Sequence, residues 1–109
     1  MASTYKVLGQ SKPSSASNSD LYTNPAGGQA IVSTIAVANT SGSDDTFRIY
    51  IRQNGASAAV GNALAYDTPA VANTTTTLTL GVTIDAADVI TVYSGSGNLT
   101  FQAFGLEIL

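Results

Sequence analysis

TFRIYIR, residues 46–52, alternates apolar and polar side chains. Successive Cβ atoms of an extended chain point to opposite faces. Phe47, Ile49 and Ile51 therefore share one face, and Arg48, Tyr50 and Arg52 the other, as in a half-buried strand. The alternation recurs on both sides of this stretch. In TLTLGVTI (77–84), Leu78, Leu80, Val82 and Ile84 share one face and Thr77, Thr79 and Thr83 the opposite one. Between Gln29 and Asn39 both faces are largely apolar, with Ile31, Ile35 and Val37 against Val32, Ala36 and Ala38. That is the pattern of a central strand covered on both sides. Val89–Ser94 and Leu99–Leu109 read as further strands. In the last, Leu99 and Phe101 have one parity while Phe104, Leu106 and Ile108 have the other, which predicts a bulge near Ala103 or Gly105.

Turn residues separate these runs. NPAGG (24–28) precedes the long strand, TSGSDD (40–45) leads into TFRIYIR, and YSGSGN (93–98) reads as a hairpin. ASAAVGNAL (56–64) is rich in alanine, but Gly55 and Gly61 flank and interrupt it, so an irregular turn is expected instead of a helix. Together these signals predict a single-domain, all-β antiparallel sandwich of jelly-roll type with about eight strands. SKPSSASNSD (11–20) is Ser-rich, carries Pro13 and reads as a linker. Residues 1–20 are thus expected to be an N-terminal arm and linker, free to pack on a neighbour, and residues 21–109 the sandwich.

The composition excludes much chemistry. The chain has 109 residues, 44% of them hydrophobic, which suffices for one core. It contains no Cys, His or Trp. Disulfides, thiol nucleophiles, Ser-His-Asp triads and the usual zinc sites cannot be built without Cys or His. Net charge is −3, and the only bases are Lys6, Lys12, Arg48 and Arg52, so a phosphate-binding patch is not expected. MASTYKVLGQ lacks a signal-peptide pattern, and AIVSTIAVA (30–38) is far short of the ~20 apolar residues of a membrane span. The protein is expected to be made in a cytoplasm and to stay soluble, with neither a membrane nor nucleic acid as a direct partner.

Asp85 and Asp88 in TIDAADVI, and Asp44 and Asp45, have the spacing of loop carboxylates that cap backbone amides. Neither pair matches a calcium-loop pattern, and no phosphate-cradling glycine motif occurs. Thr75, Thr77 and Thr79 read as one solvent-facing strand face. The N-x-[ST] sequons at Asn39, Asn73 and Asn98 read as turn chemistry. No catalytic residue, metal site or cofactor is expected. The stripe Arg48, Tyr50, Arg52 holds half the bases of the chain. It is either a solvated face or a contact face for an acidic surface or a neighbouring subunit, since Arg and Tyr are enriched at interfaces. Only 10% of residues are charged, against about 25% in average domains, and the chain ends in apolar GLEIL. An exposed apolar terminal strand is an aggregation risk, so it is either internal to a sheet or covered in an assembly.

YKVLGQ (5–10), DLYTNPAGGQAIVSTIAVANTSG (20–42), TFRIYI (46–51) and DVITVYSGSGNLTFQAFGLEI (88–108) resemble small virion structural proteins of tailed bacteriophages, among them cyanophages. The resemblance covers most of the chain, is weakest over 56–63, and is most specific at D-L-Y-T-x-P-A-G. Asn24 departs from the apolar residue more usual there. The resemblance implies a non-enzymatic virion protein. A capsid decoration (cement) protein on the capsid exterior fits a small domain with a bridging arm, and a neck, tail or baseplate component is the alternative. The implied partners are the major capsid protein or further copies of the chain, as a trimer or dimer. Tyr5, Val7 and Leu8 of the arm and Arg48, Tyr50 and Arg52 are the expected contacts. In a receptor-binding tail module, Tyr66, Asp67 and Tyr93 would instead surround a saccharide at a loop tip.

Overall fold

The computed structural model describes residues 3–109. Among them, nine strands follow one another: β1 Ser3–Ser11, β2 Ser17–Thr23, β3 Gln29–Asn39, β4 Asp45–Arg52, β5 Ala63–Ala70, β6 Thr75–Leu78, β7 Val82–Ile84, β8 Val89–Ser94 and β9 Leu99–Ile108. One antiparallel sheet has the order β1-β9-β3-β6, with β7 also paired to β3, and the other has the order β2-β8-β4-β5. β6 and β7 meet β3 at Ile35–Ala38 and Ala30–Val32, as two halves of one interrupted strand. Counted together they leave eight strands that cross repeatedly between the sheets, the order of a jelly roll. Leu80 lies in the interruption and is exposed, so it does not share the buried face of Ile84.

TFRIYIR is a central strand of the second sheet. Phe47 and Ile49 are fully buried beneath it. Phe47 meets Phe101 of β9 edge to face across the sandwich, with centroids 6.2 Å apart at 73°. Ile35, Val37, Ile90, Val92 and Leu99 close the core around them.

Four expectations are corrected. β1 is no detached arm. It pairs with β9 from Ser3–Ile108 to Ser11–Phe101, and β2, which takes up the end of the Ser-rich linker, pairs with β8. YSGSGN is no hairpin, because β8 and β9 belong to different sheets and the turn crosses between them. β3 is central in its hydrogen bonding but covered on one face only: Ala30, Val32, Ile35 and Val37 are buried, and Ile31 and Ser33 are exposed. The expected bulge in β9 lies instead on its neighbours, between Val7 and Gly9 of β1 and between Val32 and Thr34 of β3. β9 keeps one parity throughout, with Leu99, Phe101, Ala103 and Glu107 inward and Phe104, Leu106 and Ile108 outward. Where the bulges gather, the backbones crowd. A Cβ on Gly105 would lie 2.0 Å from the Ile31 carbonyl oxygen, and one on Gly9 would lie 1.9 Å from that of Leu21.

β5 escapes periodicity reading. Its large side chains, Leu64 and Tyr66, face solvent, while Ala63 and Ala65 face inward, and Asp67 interrupts it with φ +49°. The 53–62 segment forms two short 3-10 turns, in keeping with an irregular connection. Asn39 acts as turn chemistry: it is buried, and its amide donates to the carbonyls of Ser43 and Ala70.

Candidate contact surfaces

The outer face of the β2-β8-β4-β5 sheet carries the arginine stripe. Strand register sets Arg48 beside Tyr93. The irregularity in β5 brings Tyr66 and Asp67 to the other side of the same guanidinium. Arg48 Nε donates to Asp67 Oδ1 at 2.7 Å and Nη2 to Oδ2 at 3.3 Å. The guanidinium carbon lies 4.2 Å from the Tyr66 ring centroid and 4.4 Å from that of Tyr93, so the cation sits between two aromatic faces. The Asp67 hydrogen bonds hold the Arg48 pKa above its ordinary value. Arg52 Nη1 donates to Asp20 Oδ1 and Thr91 Oγ1, both at 3.2 Å, and its Nε donates to the Ala56 carbonyl at 2.7 Å. Both arginines therefore spend their charge inside the molecule. Tyr50, expected at the surface, is only 5% exposed. Tyr66, Asp67 and Tyr93 do come together, on a sheet face around Arg48 instead of at a loop tip. Strand pairing makes that cluster, and no local pattern announces it.

The outer face of the opposite sheet is different in kind. Its rows follow from the register: Tyr5–Leu106–Ile31–Thr83, Val7–Phe104–Thr34 and Ser3–Ile108–Gln29. Beyond the bulges come Gln10–Gln102–Ala36–Thr77 and Thr100–Ala38–Thr75. No Asp, Glu, Lys or Arg stands in these rows. Its apolar residues are open: Tyr5 is 85% exposed, Val7 49% and Ile31 40%. Two of the expected contact residues, Tyr5 and Val7, thus lie here, on an edge strand. Leu8, the third, turns inward at the β1 bulge and joins the core.

The carboxylates hold the frame. Asp88 Oδ1 accepts the Asn54 amide at 2.8 Å and Oδ2 the Asp85 amide at 2.9 Å, while Asp85 Oδ1 accepts the Ala86 amide at 2.8 Å. Both acids border a cleft of about 420 Å³ with Gln29, Gln53 and Thr83. A neighbouring cleft of about 700 Å³ is lined by Ile51, Leu64, Asn62 and alanines. Asp88, with both oxygens on backbone amides, is placed to cap a loop. Asp45 is similarly committed. Burial alone would raise its pKa, but the hydroxyls of Ser96 and Ser94 and the amides of Thr46 and Ser96 hold it lower. Glu107 accepts the Tyr22 hydroxyl and, at 3.0 Å, the Lys6 ammonium. The described residues contain no cluster of three or more His, Cys, Asp or Glu able to hold a metal.

No protein-family model, curated protein or solved structure matches this chain.

Proposed function

We propose that the chain is a non-enzymatic structural protein of a phage particle, a capsid decoration protein that bridges and stabilises major-capsid subunits on the particle exterior. The observation that carries this reading is the sheet face whose strand rows hold no charge and leave Tyr5, Val7 and Ile31 open to solvent. A face of this kind is rare on a protein that lives alone in water and is at home where an assembly covers it. The phage-like stretches named above point the same way. The contacts, to the capsid or to a further copy of the chain, fall on Tyr5 and Val7 of β1, the sheet-edge strand among the described residues. Leu8 supports that edge from the core, while Arg48, Tyr50 and Arg52 stand on the opposite outer face. Each seam buries little area, but many symmetry-related seams act together against internal pressure. Particles lacking the protein should lose resistance to heat. If they were equally robust but failed to adsorb to cells, the decoration role would be wrong.

One observation favours a second reading, a saccharide-binding module of the tail or baseplate. Tyr66, Tyr93 and Asp67 stand together around Arg48, and Tyr66 presents an exposed ring. Purified protein on a glycan array tests it: binding that Tyr66→Ala abolishes would favour the tail module over the capsid.

A further inference from the structure

The strand rows on the outer face of the β1-β9-β3-β6/β7 sheet hold no charged side chain, although the chain carries seven acids and four bases. Asp20, Arg48, Arg52 and Asp67 belong to the other sheet face, and Lys6 turns away onto Glu107. Charge is thus confined to the borders of this face, at Asp85 and Lys12. Two copies meeting through its centre set no like charges against each other. Most of the rim is made of Ser, Thr and Gln side chains, each of which both donates and accepts hydrogen bonds, so it can pair with itself. An apolar centre inside a mostly neutral polar rim is the anatomy of an interface.

The area also fits. Four strand widths at about 4.8 Å and roughly nine residues at about 3.3 Å give a plan area near 600 Å². Counted on both partners that is about 1,200 Å², the lower end of the range for a specific interface.

We propose that two copies of this chain pack these sheet faces together across a two-fold axis, with Ile31, Phe104 and Leu106 at the centre and Tyr5 at the β1 edge. A two-fold contact uses the same patch on both partners, and a neutral, donor-and-acceptor surface meets that demand. The sheets would lie about 10 Å apart at about −30°. The inference rests on the reading that an assembly covers this face, but not on that assembly being a virion.

Sedimentation equilibrium of the purified full chain tests it. The expected species has twice the 11.1 kDa chain mass. Placing Lys at both Ile31 and Leu106 should weaken association about a hundredfold or more, because the charges would be buried without partners. The same two positions changed to Glu should also give a monomer, and mixing the Lys and Glu chains should restore a dimer. Circular dichroism confirms that each variant is folded. Val60→Lys, on an exposed turn, serves as the control and should leave the dimer intact. A wild-type chain that stays monomeric at millimolar concentration would overturn the proposal. So would a dimer that survives the Lys changes, which would point to edge pairing through β1. A confirmed dimer together with unchanged heat resistance of particles lacking the protein would sink the decoration role alone.

Discussion

Glu107 joins three strands through one carboxylate. It sits on β9, accepts the hydroxyl of Tyr22 on β2 and the ammonium of Lys6 on β1, and is almost fully buried. The Tyr22 hydrogen bond, then Lys6, hold its pKa below the ordinary 4.5 in spite of burial. Burial and the neighbouring carboxylate push the Tyr22 phenol above its usual 10.0. Linkage fixes the signs. Glu107 and Asp45, both lowered, contribute stability above their ordinary values of 4.5 and 3.8, and lose it as pH falls through the lowered ones. Tyr22, raised, contributes below pH 10.0 and loses its share as pH climbs beyond that. The melting temperature should therefore form a plateau between about pH 5 and 9 and fall on both sides, as calorimetry across pH would show. Tyr22→Phe should cost about 1–3 kcal/mol in urea unfolding at neutral pH. It should also make the acid fall shallower, since Glu107 loses the donor that lowers its pKa. A Tyr22→Phe protein with the wild-type pH profile would contradict this network. Gly105→Ala tests crowding at the same scale. The carbonyl 2.0 Å from the added methyl is backbone and cannot swing aside, so a loss of about 3 kcal/mol or more is expected in the same unfolding assay.

At the scale of elements, β1 and β9 depart most from their sequence pattern. Pro13 and the serines after β1 read as a linker, yet the strand before them is stitched to β9 along its whole length. Deleting residues 1–11 removes Lys6 from Glu107 and Leu8 from the core, and it bares β9 as a new sheet edge. An unpaired edge invites pairing with other chains. The truncated protein should melt at a lower temperature and scatter light on warming; an unchanged melt would restore the detached arm. β9 itself answers the concern over an apolar terminal strand, because it lies between β1 and β3. Its parity change in apolar residues was legible, but its cause was not. Phe104, Leu106 and Ile108 are large residues on the open face, and the inward place opposite them belongs to Gly105 and Glu107. β5 was missed for the same reason, with its bulky residues outside and its alanines within. Hydrophobic periodicity locates the core only when large apolar residues point at it.

Across the whole molecule, two sheets are held by side chains that meet between them. Phe47 and Phe101 come from strands of different sheets and touch edge to face. Phe47→Ala should cost about 3–5 kcal/mol, a large part of the roughly 5–15 kcal/mol available to such a domain. Its urea midpoint should drop with little change in slope, and a loss below about 1 kcal/mol would mean that the sheets do not depend on this contact. The two outer faces divide the chemistry of the surface. One is polar and aromatic, with Arg48 bound to Asp67 between Tyr66 and Tyr93. The strand rows of the other hold no charged side chain, and the shortage of charge in the composition is concentrated there.

The sequence by itself determined the all-β class, the half-buried alternation of TFRIYIR, the capping role of Asp88 and the turn role of Asn39. Alternation and turn chemistry act directly between neighbours in the chain, as in the Asp88 bond to the Asp85 amide and the Asn39 bond to the Ser43 carbonyl. Only the tertiary structure decided that β1 belongs to the sandwich, that Arg48 meets Asp67 and both tyrosines, that Glu107 is buried, and that the strand rows of one sheet face carry no charge. Those outcomes depend on strand order and register, which join residues such as Lys6 and Glu107 from opposite ends of the chain. Pairing of that kind is settled by how two sheets bury a common core.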